Sequence, residues 1–245
     1  MKLHELASGN VSKKYMLQIH IPLMILLYFG LLAISSLTFP GYTITHYYIS
    51  NMGSPYLNPD GWIIWSIAHG FYGLFMIPAV QYTHHTIKAK LDTSTSRDTQ
   101  TSTDDSKFNQ KLLTLGRLLL IISAIGWLLM CFVPQYKGWG TAHAINAVLL
   151  LGGYYFGILF ITWLVNRAKI ISKKIIRAIL FFWVFAPCAI LITQLIRIGL
   201  GIPIIDSTNN NSLWFINVST WEWMMLFTIY MAFIILIAGL KESTN

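Results

Sequence analysis

Charged residues are scarce in this sequence. They make up 11% of its 245 residues, against roughly 25% in ordinary soluble domains. The scarcity excludes a water-soluble module, and with it the reading of the net charge of +8 as a nucleic-acid surface, which needs a basic face on a soluble domain. There are only two cysteines, Cys131 and Cys188, both inside apolar runs, so there is no disulfide framework. Metal and haem signatures are missing as well. A zinc site wants three ligands, such as two His and Glu222, at a recognisable spacing, and a bis-histidine haem wants His residues paired at matched depth. Neither pattern is present, so no metal and no cofactor is expected. Met1 to Lys14 lacks the short apolar core and small-residue cleavage site of a secretory signal, so the first apolar segment is expected to be retained. No long internal repeat and no separate soluble domain is visible.

What the sequence has is apolar length. It is 55% hydrophobic, with a mean hydropathy of +0.59, and six segments reach the roughly 20 apolar residues that cross about 30 Å of hydrocarbon. They are Tyr15–Leu37, Gly61–Tyr82, Leu112–Val133, His143–Leu164, Ala178–Leu200 and Trp221–Leu240. Each is predicted helical, because an open strand leaves backbone groups unsatisfied in lipid. Pro22, Pro78 and Pro187 fall inside three of them and predict kinks, whereas Pro40, Pro134 and Pro203 fall just past helix ends as stops. The predicted fold is all-α, a single six-transmembrane-helix bundle over residues 1–245.

Lys and Arg set the expected orientation. With the N-terminus cytoplasmic, 15 of the 17 basic residues fall on the inner side and only Lys137 and Arg197 on the outer side. The positive-inside rule therefore places both termini in the cytoplasm. The inner loop 88–110 is polar, low in complexity and expected to be disordered. The second inner connection, Asn166–Arg177, alternates basic clusters with Ile pairs. Positive-inside charge accounts for it, with an amphipathic segment along the inner leaflet as the alternative. In the third outer loop, Asn210 and Asn217 each begin an N-x-Ser pattern. Gly152, Gly153 and Gly157 suggest a small-residue helix contact.

Ionisable and amide groups inside membrane segments are costly, so each is a candidate functional residue with a partner to be named. Under the predicted topology His69, His143, Asn146, Gln194, Arg197 and Glu222 all lie in the outer half of the bilayer. Asn51 and Asp60 lie in the loop above them. These eight form the candidate ligand-binding set, and His69, His143 and Glu222 are the candidate catalytic residues. Arg197 and Glu222, of opposite charge and similar depth on consecutive helices, are expected to pair. Cys131 with His143 offers a nucleophile and base in outline. His69 with Glu222 offers acid–base work on a lipid headgroup or ester.

The loop ISNMGSP followed by NPDGW, the Glu222-Trp223 pair opening the last helix and the His143-Ala144 start of the fourth resemble the six-helix Frag/DRAM/Sfk-type membrane proteins and related prokaryotic proteins of unknown function. The family's loop Asp is Asn51 here. The resemblance implies membrane-lipid biology: its eukaryotic relatives are linked to remodelling of GPI-anchor lipids, phosphoinositide kinase recruitment and autophagy. It assigns no catalytic residues. Taken together, these features predict an integral protein of the plasma membrane or an endomembrane, with an outer-facing polar cavity capped by residues 41–60 and membrane lipids as partners. A lipid-linked scaffold or regulator is the expected role. The alternative is an intramembrane acyl or headgroup transferase or hydrolase. A proton-coupled transporter ranks below both, because no repeated halves accompany the proline kinks.

Overall fold

The computed structural model describes residues 3–97, 103–133, 140–201 and 218–240, and every regular element among them is helical. Six of the helices are long and apolar enough to cross a membrane: α1 (Lys13–Thr38), α2 (Trp62–Arg97), α3 (Thr103–Met130), α4 (Gly140–Arg167), α5 (Lys173–Gly199) and α6 (Val218–Gly239). Lys137, Asn210, Asn217, Pro134 and Pro203 lie outside the described residues.

Local sequence explains several helix ends. Ser12 caps α1, its Oγ accepting from the Tyr15 N–H at 3.1 Å, and Ser172 stands before α5 in the same role. α1 stops at Thr38, with Phe39 extended ahead of Pro40, as the residue before a proline prefers. Pro22 follows a π-helical turn at Met16–His20. That turn holds the Gln18 carbonyl, the one a proline at position 22 leaves without its usual N–H. Pro78 and Pro187 lie inside α2 and α5. Near Pro78, His20 Nε2–H donates to the Phe75 carbonyl at 2.8 Å, so this buried histidine ties α1 to the proline-bearing stretch of α2.

One connection differs from expectation, and a second lacks the alternative amphipathic segment. The segment 88–110, expected to be disordered, is helical up to Arg97 and again from Thr103, while residues 98–102 lie outside the described set. The polar tract continues the two helices beyond their apolar parts. The Thr93 hydroxyl turns back on the helix backbone, donating to the Ala89 carbonyl at 2.8 Å, and Gln110 Nε2 reaches Asp92 Oδ1 at 3.4 Å. Between α4 and α5 there is no separate amphipathic segment. The chain turns through Lys169, at φ 52°, and the Ile170 N–H returns to the Val165 carbonyl at 2.9 Å. Ser172 then starts the next helix.

α3 and α4 pack most extensively, followed by α2 with α3 and α5 with α6. The α3–α4 crossing is close because of Gly153: a Cβ there would lie 2.6 Å from the Leu119 carbonyl oxygen. Small residues permit such approach where lipid gives no hydrophobic drive to associate. Gly152, expected to share this role, faces open space. α5 is peripheral, with 17% of its apolar window buried against 61% for α2. Lys13 Nζ, at the start of α1, donates to the carbonyls of Ala238 and Leu240 at the end of α6, 2.6 Å each. The beginning of the first spanning helix and the end of the last therefore sit at the same end of the bundle. A cation on terminal carbonyls also complements the helix dipole.

Candidate functional site

The loop between α1 and α2 forms the site's roof, and its sequence shows how. Asn58, fully buried, is the hub: its Nδ2 lies 3.0–3.1 Å from the Met52 carbonyl, the Ser35 carbonyl and Ser35 Oγ, and its Oδ1 is 3.2 Å from the Thr38 hydroxyl. Ser35 Oγ in turn donates to the Gly61 carbonyl at 2.9 Å. A Cβ on Gly61 would stand 2.0 Å from Thr38 Oγ1, and one on Gly53 would stand 2.5 Å from the Trp65 ring. Both loop glycines are therefore demanded by close approach. Asn51 Oδ1 accepts from the Tyr48 N–H at 2.7 Å, closing the 3₁₀ turn Ile49–Gly53.

The first turns of α6 clasp this roof at three points. Glu222 Oε2 accepts from the Ile49 N–H at 2.6 Å, Ser219 Oγ donates to the Thr45 carbonyl at 2.8 Å, and the Trp223 indole N–H donates to Tyr42 Oη at 2.9 Å. Burial raises the Tyr42 phenol well above its ordinary value, against the smaller opposing effect of the Trp223 N–H, so it remains a neutral hydroxyl.

Beneath the roof lies a cavity of about 70 Å³ bordered by Ser50 of the loop, Trp65 and His69 of α2, Trp127 of α3, His143 of α4 and Glu222 of α6, with Tyr28 of α1 and apolar side chains of α4 and α6 completing it. That volume has room for a few water-sized groups. It is well below the 300–1,000 Å³ of pockets that enclose a whole drug-sized ligand.

Hydrogen bonds define which cavity groups are already used. His69 Nδ1 lies 2.8 Å from the Trp65 carbonyl, which can only accept, so Nδ1 carries the proton and Nε2 faces the Tyr28 hydroxyl at 3.4 Å. Both nitrogens of His69 are spent on the protein, and its ring is packed by Trp65 at 3.9 Å and Trp127 at 5.2 Å between centroids. His143 Nδ1–H donates to the Val133 carbonyl at 3.1 Å, which leaves Nε2 with its lone pair. His143 stacks on the same indole, with its ring centroid 6.2 Å from that of Trp65.

Of the eight candidate ligand residues, His69, His143 and Glu222 border this cavity. The other five do not. Asn51 is buried within the loop's own turn, and Asp60 is exposed. Asn146 is buried on α4, and Gln194 and Arg197 sit on α5, which contributes nothing to the cavity lining. The expected Arg197–Glu222 pair is not formed. Among the described residues the ion pair present joins Arg167 to Asp105, at the other end of the bundle, while Glu222 is held by the Ile49 N–H. Similar depth on consecutive helices says nothing about rotation, so it does not bring the two side chains together. Cys131 is also outside the cavity: its Sγ packs beside Gly70 of α2, so it does not join His143 as a nucleophile. No group of three or more His, Cys, Asp or Glu among the described residues is arranged to hold a metal ion.

Sequence reading missed Tyr28, Asn58 and Trp127. Asn58 had a signal in the Asn-Pro-Asp-Gly run, a turn sequence, but nothing marked its side chain as the buried hub. Compared with protein-family models, with curated proteins and with solved structures, the chain matches none of them.

Proposed function

We propose that this integral membrane protein binds the polar end of a membrane lipid in the cavity beneath the 41–61 loop, and acts as a lipid-linked scaffold or regulator. The carrying observation is that His69, His143 and Glu222, from three different helices, border one small cavity roofed by a loop built on buried hydrogen bonds. The depth suits a headgroup. Glu222 and His143 are within the first turn or so of their helices, and His69 is seven residues into α2, about 10 Å along it at 1.5 Å per residue. The cavity size suits the polar end alone, with the chains left in the bilayer. α4 and α6, which touch only lightly, provide a lateral route. The 15-to-2 distribution of basic residues supports cytoplasmic termini and an outward-facing cavity. The similarity of the ISNMGSP loop and the Glu222-Trp223 pair to Frag/DRAM/Sfk-type proteins supports a role in lipid biology.

The test is lipid retention by purified full-length protein, read by native mass spectrometry. His143→Ala is expected to lower retention at least severalfold while leaving the unfolding temperature near that of the wild type. Equal retention by the two proteins sinks the cavity reading. Engineered single cysteines at residue 4 and in the 41–48 loop, probed with a membrane-impermeant reagent on intact cells, check orientation. Labelling is expected only in the loop.

A second reading, an intramembrane transferase or hydrolase, is favoured by the convergence of two histidines and a carboxylate on one cavity. The groups left for chemistry are His143 Nε2 as base and Glu222 as acid, since His69 is fully engaged. Turnover of a lipid ester that is abolished in His143→Ala is the outcome that would select it.

A further inference from the structure

Among the described residues Glu222 has a partner for its hydrogen bond but none for its charge. It sits within a membrane helix, where a carboxylate normally pairs with a cation. Its Oε2 takes one backbone N–H from Ile49, and the expected partner Arg197 does not meet it. Among the described residues, no Lys or Arg borders the cavity at all.

The other groups there ask for the same kind of ligand. With His143 Nδ1–H donating to Val133, Nε2 offers a lone pair. Glu222 Oε1 offers another, and Ser50 Oγ, also on the cavity, offers a third. His69 has no donor left to give, because Nδ1–H is bound to Trp65. The remaining walls are the aromatic side chains Tyr28, Trp65 and Trp127, whose negative ring faces attract cations. A phosphate or carboxylate placed here would meet a carboxylate and lone pairs, with no cation among the described lining residues to receive it.

We infer that the cavity binds a primary ammonium group. Its positive charge balances Glu222, its three N–H donors match the lone pairs of Glu222 Oε1, His143 Nε2 and Ser50 Oγ, and its size suits a cavity of about 70 Å³. The bilayer component carrying that chemistry is the ethanolamine headgroup of a phospholipid, and a free amine carries it in water. A quaternary ammonium keeps the charge but has no N–H to donate, so it binds less well. This inference rests on the lipid-binding reading and specifies the headgroup that reading leaves open.

The experiment is titration of the purified full-length protein with chain-matched phosphatidylethanolamine, phosphatidylcholine, phosphatidylglycerol and diacylglycerol, with free ethanolamine as a competitor. Phosphatidylethanolamine is expected to bind about tenfold or more tightly than phosphatidylglycerol and diacylglycerol, the worth of one charge-assisted hydrogen bond, with phosphatidylcholine between. Glu222→Gln keeps an oxygen for the Ile49 N–H and is expected to erase that preference. The wild-type headgroup ranking decides the matter even if the variant folds poorly. Equal binding of all four lipids overturns the ammonium assignment and leaves the lipid reading standing. Unchanged preference in a folded Glu222→Gln protein also overturns it, because a carboxyl that is protonated in place needs no counter-ion. Binding of millimolar ethanolamine with no lipid retained supports the ammonium chemistry and overturns the lipid source. Binding of neither overturns both.

Discussion

The two ends of the bundle spend their polar groups differently. At the end where the first helix begins and the last one finishes, the contacts of Lys13, Arg167 and His20 close on the protein itself, although Ser8, Asn10, Tyr82, His85 and Thr86 line an open pocket there. Lys13 takes the last carbonyls of α6, Arg167 pairs with Asp105 and lies over the Phe108 ring, and a little deeper His20 serves the Phe75 carbonyl. At the loop end, Asn58, Asn51 and Ser35 are likewise consumed in building the roof. Beneath that roof, however, His143, Glu222 and Ser50 border a cavity, and His143 Nε2 and Glu222 Oε1 are left over by the hydrogen bonds to Val133 and Ile49. Polar residues in a membrane protein are thus not equal evidence of function. What separates these groups is whether one has lone pairs left after the fold has taken its share.

Substitutions that attack the two ends should therefore separate stability from binding. The largest loss is expected for Asn58→Ala, which strips a fully buried side chain of its hydrogen bonds and takes a donor from the Met52 carbonyl and from Ser35. About 3 kcal/mol or more of stability should go, measured as chemical unfolding in mild detergent, and lipid retention should fall with it. Gly53→Ala comes next. Its Cβ drives against Trp65, and a cost of about 1–3 kcal/mol follows from overpacking, accompanied by altered tryptophan fluorescence because Trp65 is a cavity wall. Trp223→Phe opens one point of the α6 clasp by removing the donor to Tyr42. It should cost about 1 kcal/mol and raise proteolysis within residues 42–49 more than it lowers global unfolding. The smallest effect belongs to the opposite end: Asp105→Asn breaks an ion pair whose side chains are 42% and 50% exposed. It should change stability by about 0–1 kcal/mol, less in high salt, with lipid retention untouched. If Asp105→Asn reduced retention as much as His143→Ala, the contrast between the ends would collapse.

Much of this architecture is legible before folding is considered. Six apolar stretches of sufficient length dictate six helices, because backbone groups in hydrocarbon have no other partners than their own chain. The distance from Thr38 to Trp62, broken by glycines, prolines and asparagines, marks a built loop rather than a simple connection. The limits of the helices are less legible: α2 and α3 continue past their apolar parts into a Ser/Thr-rich tract, since nothing in the loss of hydrophobicity forces a helix to end. His69 and His143 could be assigned a depth, because depth is a matter of counting residues from a helix end.

Rotation could not be counted in the same way. In water an apolar stripe tells which face of a helix turns inward, but lipid is as apolar as a core, and these helices are apolar all round. An error of one residue turns a side chain by about 100° at 3.6 residues per turn. The sequence by itself therefore determined the number of spans, the asymmetry of positive charge and the depth of the polar residues. Only the tertiary structure decided that Glu222 meets the Ile49 N–H in place of Arg197, that His69 is spent between Tyr28 and Trp65, and that Asn58 holds up the roof. Each of those outcomes is set by the facing of one helix toward another, which packing fixes and composition does not record.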